Sequence, residues 1–163
     1  MRRVFRWVIG GRTGLVALAL VAVAALLIRV PAALAFPYRA QLGATVVLSE
    51  QPLDPAIGRV LTRADRLLAR SPIDEPGLAR QVVLTDGGWR WQVLALGQTG
   101  AMGLRRPFSN ALIFNRSDLS RDRVTNGRRV GGARRLSGAI AHETTHLLVA
   151  RRIGEIAMAR LPF

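Results

Sequence analysis

The only two histidines of this 163-residue chain stand four apart, with a glutamate directly after the first: His142-Glu143-Thr144-Thr145-His146. On a helix, positions i and i+4 project from one face, so two imidazoles can hold two corners of a tetrahedral Zn²⁺ site. Glu143 then lies close enough to take a proton from a water held there. The chain has no cysteine, so zinc would have to be held by nitrogen and oxygen ligands, and the redox compartment stays open.

These residues need a helix, and the flanking sequence predicts one over 137–153. Ser137 reads as an N-cap, Ala139-Ile140-Ala141 leads into the motif and Leu147-Leu148-Val149-Ala150 follows it. Arg151 and Arg152 suit the negative end of the helix dipole, and Gly154 reads as a C′ residue. Upstream, Asp54 capping Pro55, with Ile57, Val60, Leu61, Leu67 and Leu68 at helical spacing, predicts an amphipathic helix over 55–70 that Ser71-Pro72 stops. Gln81 to Asp86 reads as a strand closed by Gly87-Gly88, and Trp89 to Leu96 as a short helix with Trp89 and Trp91 as core anchors. Gly100 to Gly103 reads as a turn and Asn110 to Asn115 as a strand. Residues 116–135, with seven arginines, read as a long surface loop. In it Asp118 and Asp122 either orient a ligand histidine or simply cap and pair. Ala44 to Leu48 is either a first strand or part of a linker.

Net charge is +14 and every basic residue is arginine. An arginine-only, Ala- and Gly-rich composition is what a GC-rich coding sequence produces, so part of the charge is codon bias. A surplus of +9 nevertheless remains beyond residue 35, which favours an anionic partner. There is no zinc-finger spacing and no RNP-like aromatic motif, so nucleic acid is not expected. Anionic lipid is the simpler partner.

Four arginines in residues 1–12 precede an uncharged run of 16 residues from Thr13 to Ile28, longer than the usual signal-peptide core and shorter than the roughly 20 residues of a bilayer span. Ala33-Leu34-Ala35 offers an A-x-A cleavage site before Phe36. Arg29, Phe36 and Tyr38 instead suit an uncleaved anchor, as snorkelling and interfacial groups. Either way the positive end stays in the cytoplasm. The domain is then expected on the extracytoplasmic side of the cytoplasmic membrane, or exported after cleavage near Ala35. Arg2-Arg3-Val4-Phe5 weakly resembles part of the twin-arginine export signal, although an ordinary basic n-region accounts for it better.

A helix, then strands, then H-E-x-x-H on a later helix: this order resembles the zincin metallopeptidases, and Gln81 to Gly154 looks most like small bacterial peptidases of the gluzincin type. The resemblance implies His142 and His146 as zinc ligands, Glu143 as general base, and an upstream strand along the cleft that pairs with extended substrate, for which Asn110 to Asn115 is the match. The metzincin continuation is absent, because Val149 and Arg152 occupy its glycine and histidine places. Gluzincins take a third ligand from a glutamate on a following helix, often in a segment resembling L-P-x-W-x-x-E-G, and this sequence stops at Leu161-Pro162-Phe163. Glu155 is the only carboxylate after the motif, nine residues beyond His146. On a continuous helix it would face the opposite way, so it reaches a metal only if the chain reverses after Gly154.

The expected fold class is α+β: an N-terminal transmembrane or signal helix, then a small zincin-like domain with a short sheet and the motif helix near the C-terminus. Residues 1–37 are the anchor or signal, 38–53 a linker and 54–163 the peptidase domain. The function implied is a membrane-anchored, zinc-dependent peptidase acting on a peptide or protein. The alternatives are a truncated or inactive relative and a non-enzymatic basic envelope protein.

Overall fold

Three strands whose residues are buried on both faces organise the molecule. In the computed structural model, which describes residues 12–29 and 34–160, strands β2 (Thr45–Ser49), β3 (Arg80–Thr85) and β5 (Ala111–Asp118) run parallel side by side. Their apolar runs, Val46-Val47-Leu48, Val82-Val83-Leu84 and Leu112-Ile113-Phe114, are nearly continuous because each face of the sheet carries helices. Alternation splits them into two cores. Val47, Val82, Leu84, Leu112 and Phe114 face one side with helices α2 (Ile57–Leu68) and α4 (Leu136–Ile153). Leu48, Val83 and Ile113 face the other side, where α3 (Trp89–Ala95) seats Trp91 and Leu94.

The remaining strands pair antiparallel. A hairpin joins β1 (Tyr38–Leu42) to β2; β4 (Gly103–Arg105) lies along β5; and β5 continues into β6 (Arg123–Thr125) and β7 (Ala133–Arg135). The order is β1-β2-β3-β5-β6-β7, with β4 beside β5, in a seven-stranded mixed sheet. A short four-residue helix, α5 (Glu155–Met158), follows α4.

The expected architecture is corrected in several places. The sheet is not short, and the domain is mixed α/β with helices on both faces. Residues 38–49 are built into it rather than forming a linker, and 116–135 supply the end of β5 with β6 and β7 rather than one loop. Asn110 to Asn115 does not border the cleft. Its residues are flanked by β3 on one side and β4 on the other, so the edge strand there is β4, which begins at Gly103, the last residue of the stretch read as a turn. Of the two tryptophans only Trp91 is a core anchor, 1% exposed against 58% for Trp89, and its indole N–H donates to the Thr99 carbonyl at 2.9 Å.

The expected transmembrane helix is also corrected. Among the described residues no helix is long and apolar enough to cross a membrane. Helix α1 (Arg12–Arg29) has 18 residues and begins and ends on arginine, and at about 1.5 Å per residue it spans about 27 Å against a hydrocarbon core of about 30 Å. Leu15, Val16, Leu18 and Val21 on it are exposed. Residues 1–11 with the Arg2-Arg3 pair, Ala33 of the cleavage site and Leu161-Pro162-Phe163 lie outside the described residues.

Candidate metal centre

Helix α4 is fixed on three sides, and its fourth carries the motif. Leu136, Ile140, Leu147 and Leu148 bury its inner stripe against the sheet and α2. Its first turn is capped from the β5–β6 connection. There the Asp122 carboxylate accepts from Ser137 N–H and Oγ, both at 2.7 Å, and the Asp122 carbonyl accepts from Leu136 N–H. Ser137 is therefore not the cap, and Asp122 does the capping instead of orienting a histidine. Asp118 pairs with Ser120 and Arg121. Beneath the helix the buried Arg80 guanidinium donates to Thr144 Oγ1 at 3.4 Å and to Asp65 on α2. Both motif threonines bond back to their own helix, Thr144 to the Ile140 carbonyl and Thr145 to that of Ala141, so neither competes for a ligand.

On the exposed face the two imidazoles converge. His142 Nε2 and His146 Nε2 lie 3.1 Å apart, with the rings edge to face, 85° between planes. Two nitrogens about 2.05 Å from one tetrahedral Zn²⁺ would sit about 3.3 Å apart, so the separation of the pair, which is also that of a hydrogen bond between the rings, is close to that of two ligands of one metal. A neutral imidazole is the ligating form. Burial first, then the charges of His142 and Arg105, hold His146 below the ordinary histidine value, which favours that form.

Glu143 is 9% exposed. Burial pushes its carboxyl from 4.5 up to about 7, against a smaller downward pull from the Arg105 main-chain N–H and guanidinium. That N–H is available because of the β4 register. Arg106 N–H donates to the Ala111 carbonyl and Asn115 N–H to the Met102 carbonyl, so the even-numbered residues bond to β5. The main-chain groups of Gly103 and Arg105 therefore point to the outer edge, over the motif.

Glu155 reaches the same place. At Gly154 the backbone takes φ 86° and ψ 152°, a conformation side chains rarely adopt, and the helix breaks there before the short α5. Glu155 consequently lines one cavity of about 590 Å³ together with Glu143 and His146. Arg105 holds it in a two-pronged pair at 2.8 and 2.7 Å, and Phe108 N–H donates to it at 2.9 Å. The Arg105 bond, helped by Phe108 and the guanidinium charge, sets its carboxyl below the usual range. Among the described residues no group of three or more His, Cys, Asp or Glu side chains is arranged to hold a metal ion. The residues present thus bring two histidines together beside a buried glutamate, and Glu155, expected as the third ligand, is held by Arg105.

A second cavity, about 550 Å³, opens on the His142 side between β4 and β7. The two share Gly103 and Glu143. Arg105, Gly103 and Phe108 carry no sequence signal that sets them apart: Arg105 is one of 24 basic residues, and a three-residue strand is too short to show alternation. No protein-family model, curated protein or solved structure matches the chain.

Proposed function

We propose that this protein is a zinc-dependent hydrolase of peptide bonds. The observation that carries the reading is the 3.1 Å approach of His142 Nε2 and His146 Nε2 beside a buried glutamate whose value lies near neutrality. The zincin resemblance supports the same assignment. When bound, Zn²⁺ supplies a Lewis acid that polarises a scissile carbonyl and makes water a nucleophile at neutral pH. Glu143 takes the proton of that water and returns it to the leaving amine, and a carboxyl near pH 7 suits a group that must do both. The outward main-chain groups of Gly103 and the carbonyl of Arg105, whose N–H serves Glu143, bind an extended substrate by strand addition, the part that Asn110 to Asn115 was expected to play. Glu155 supplies a third ligand if it exchanges Arg105 for the metal. The basic N-terminal segment and the exposed apolar side chains of α1 support association with anionic lipid at the cytoplasmic membrane.

One observation favours a second reading. The grip of Arg105 on Glu155 leaves two protein ligands, and catalytic zinc sites use three, so the alternative is a relative that binds zinc weakly without turnover. Metal content and hydrolysis, measured on the full-length chain, separate the two. About one zinc per chain, lost in His146→Ala, together with peptide cleavage abolished in Glu143→Gln while zinc is retained, is the expected result. Zinc binding without cleavage selects the second reading, and zinc content unchanged in His146→Ala rejects both.

A further inference from the structure

The cavities on either side of Glu143 differ in chemistry. On the His146 side the walls are Leu104, Pro107, Phe108, Met158 and Ala159, and the one guanidinium there, Arg105, is matched by Glu155. On the His142 side the lining includes Arg134 with Met102, Asn126 and Ala139, and the only carboxylate among the lining residues is Glu143 itself. Arg134 stands opposite Val124 of β6. Residues directly opposite in an antiparallel pair share a face, and Val124 packs in the core under α4, so Arg134 lies on the side of the sheet that carries the motif. Arg128 closes the rim, its guanidinium 3.1 Å from where a Gly100 Cβ would be. Among the described residues neither of these arginines pairs with a carboxylate. Two cations at one cavity mouth without an ion-pair partner form a site for a negative group, where charge complementarity selects the partner and speeds its arrival.

We infer that the substrate carries an acidic side chain on one side of the scissile bond, seated against Arg134 and Arg128, and an apolar side chain on the other, seated between Phe108 and Met158. This rests on the peptide-hydrolase reading and adds the charge pattern of the substrate to it.

The test offers the zinc-loaded, full-length chain a set of quenched fluorescent peptides with a fixed apolar residue, and with Asp, Asn or Arg at successive positions across the cleaved bond. At low salt kcat/KM for the best Asp peptide exceeds that of its Asn counterpart by about fivefold, the value of one good exposed ion pair. The difference lies in KM and shrinks as salt rises to about 0.5 M. The double variant R128E/R134E turns the preference towards the Arg peptide, and R128Q/R134Q, which introduces no new charge, removes the preference for Asp. Equal rates for Asp and Asn peptides at every position, or an Asp preference unchanged in both double variants, overturns this inference while leaving the hydrolase reading intact. Failure of the zinc-loaded wild type to cleave any peptide in the set overturns both.

Discussion

Replacing Glu143 by glutamine should stabilise the metal-free protein, and by an amount that depends on pH. The carboxyl is 9% exposed and its value rises from 4.5 to about 7 on folding. A raised native value means that the contribution is fully favourable below the unfolded value and is lost as pH climbs through the folded one. Below pH 4.5 the side chain is neutral in both states, so glutamine, its near-isostere, changes little. Above pH 7 the native state carries a buried charge that the unfolded chain would solvate. At about 1.4 kcal/mol per pH unit the ceiling of that penalty is about 3 kcal/mol, which Glu143→Gln relieves. Urea denaturation of the full-length chain in chelator, at pH 4.5 and pH 8, reads this directly. The variant matches wild type at the lower pH and is more stable by about 2–3 kcal/mol at the higher. A gain that is the same at both pH values, or a variant less stable at pH 8, would refute the argument from burial. The same substitution should abolish hydrolysis, so stability and activity move in opposite directions at this residue.

Other outcomes follow from the supports of the site. Ile140→Ala empties a fully buried position under α4 and should cost about 2–5 kcal/mol in urea unfolding. Asp122→Ala removes two 2.7 Å bonds from the first turn of that helix and should cost about 1 kcal/mol, with amide exchange faster around Ser137 than in the sheet. Arg105→Met strips Glu155 of its main partner. Because the Glu155 value is depressed, the lost stability is present above the unfolded value of about 4.5, so the gap between variant and wild type should narrow as pH falls below it.

What could be read from residues alone was the long periodic part. Helices α2 and α4 show three or more turns of apolar spacing, and β3 and the start of β5 show short apolar runs between turn residues. What escaped was too short or too polar to show a period. Tyr-Arg-Ala-Gln-Leu of β1 has little apolar content, and β4, β6 and β7 have three residues each; they are strands because β5 and its neighbours offer them hydrogen bonds, not because of their own preference. The motif residues were legible because their types stand at a spacing that a helix brings to one face. Arg105 was not, since its pairing with Glu155 depends on the break at Gly154 and on an edge strand that only the tertiary structure defines. Trp89 was misassigned for a related reason: aromatics two residues apart on a short helix cannot both face one core, and Arg90 instead stacks over the outer one at 4.6 Å.

Gly103 marks where the two cavities meet. A Cβ there would stand 2.8 Å from two ring carbons of Phe114 and 3.5 Å from Glu143 Cγ, and Phe114, fully buried, cannot give way. A single methyl group would therefore lift β4 away from the motif helix and put a step across the passage from one cavity to the other. Position 103 thus bears on the site although it lies 39 residues before His142. On the proposed reading, a chain with the motif intact but a side chain at this place would keep both histidines and still be unable to lay a peptide across them, so what the site depends on there is a hydrogen atom on an edge strand.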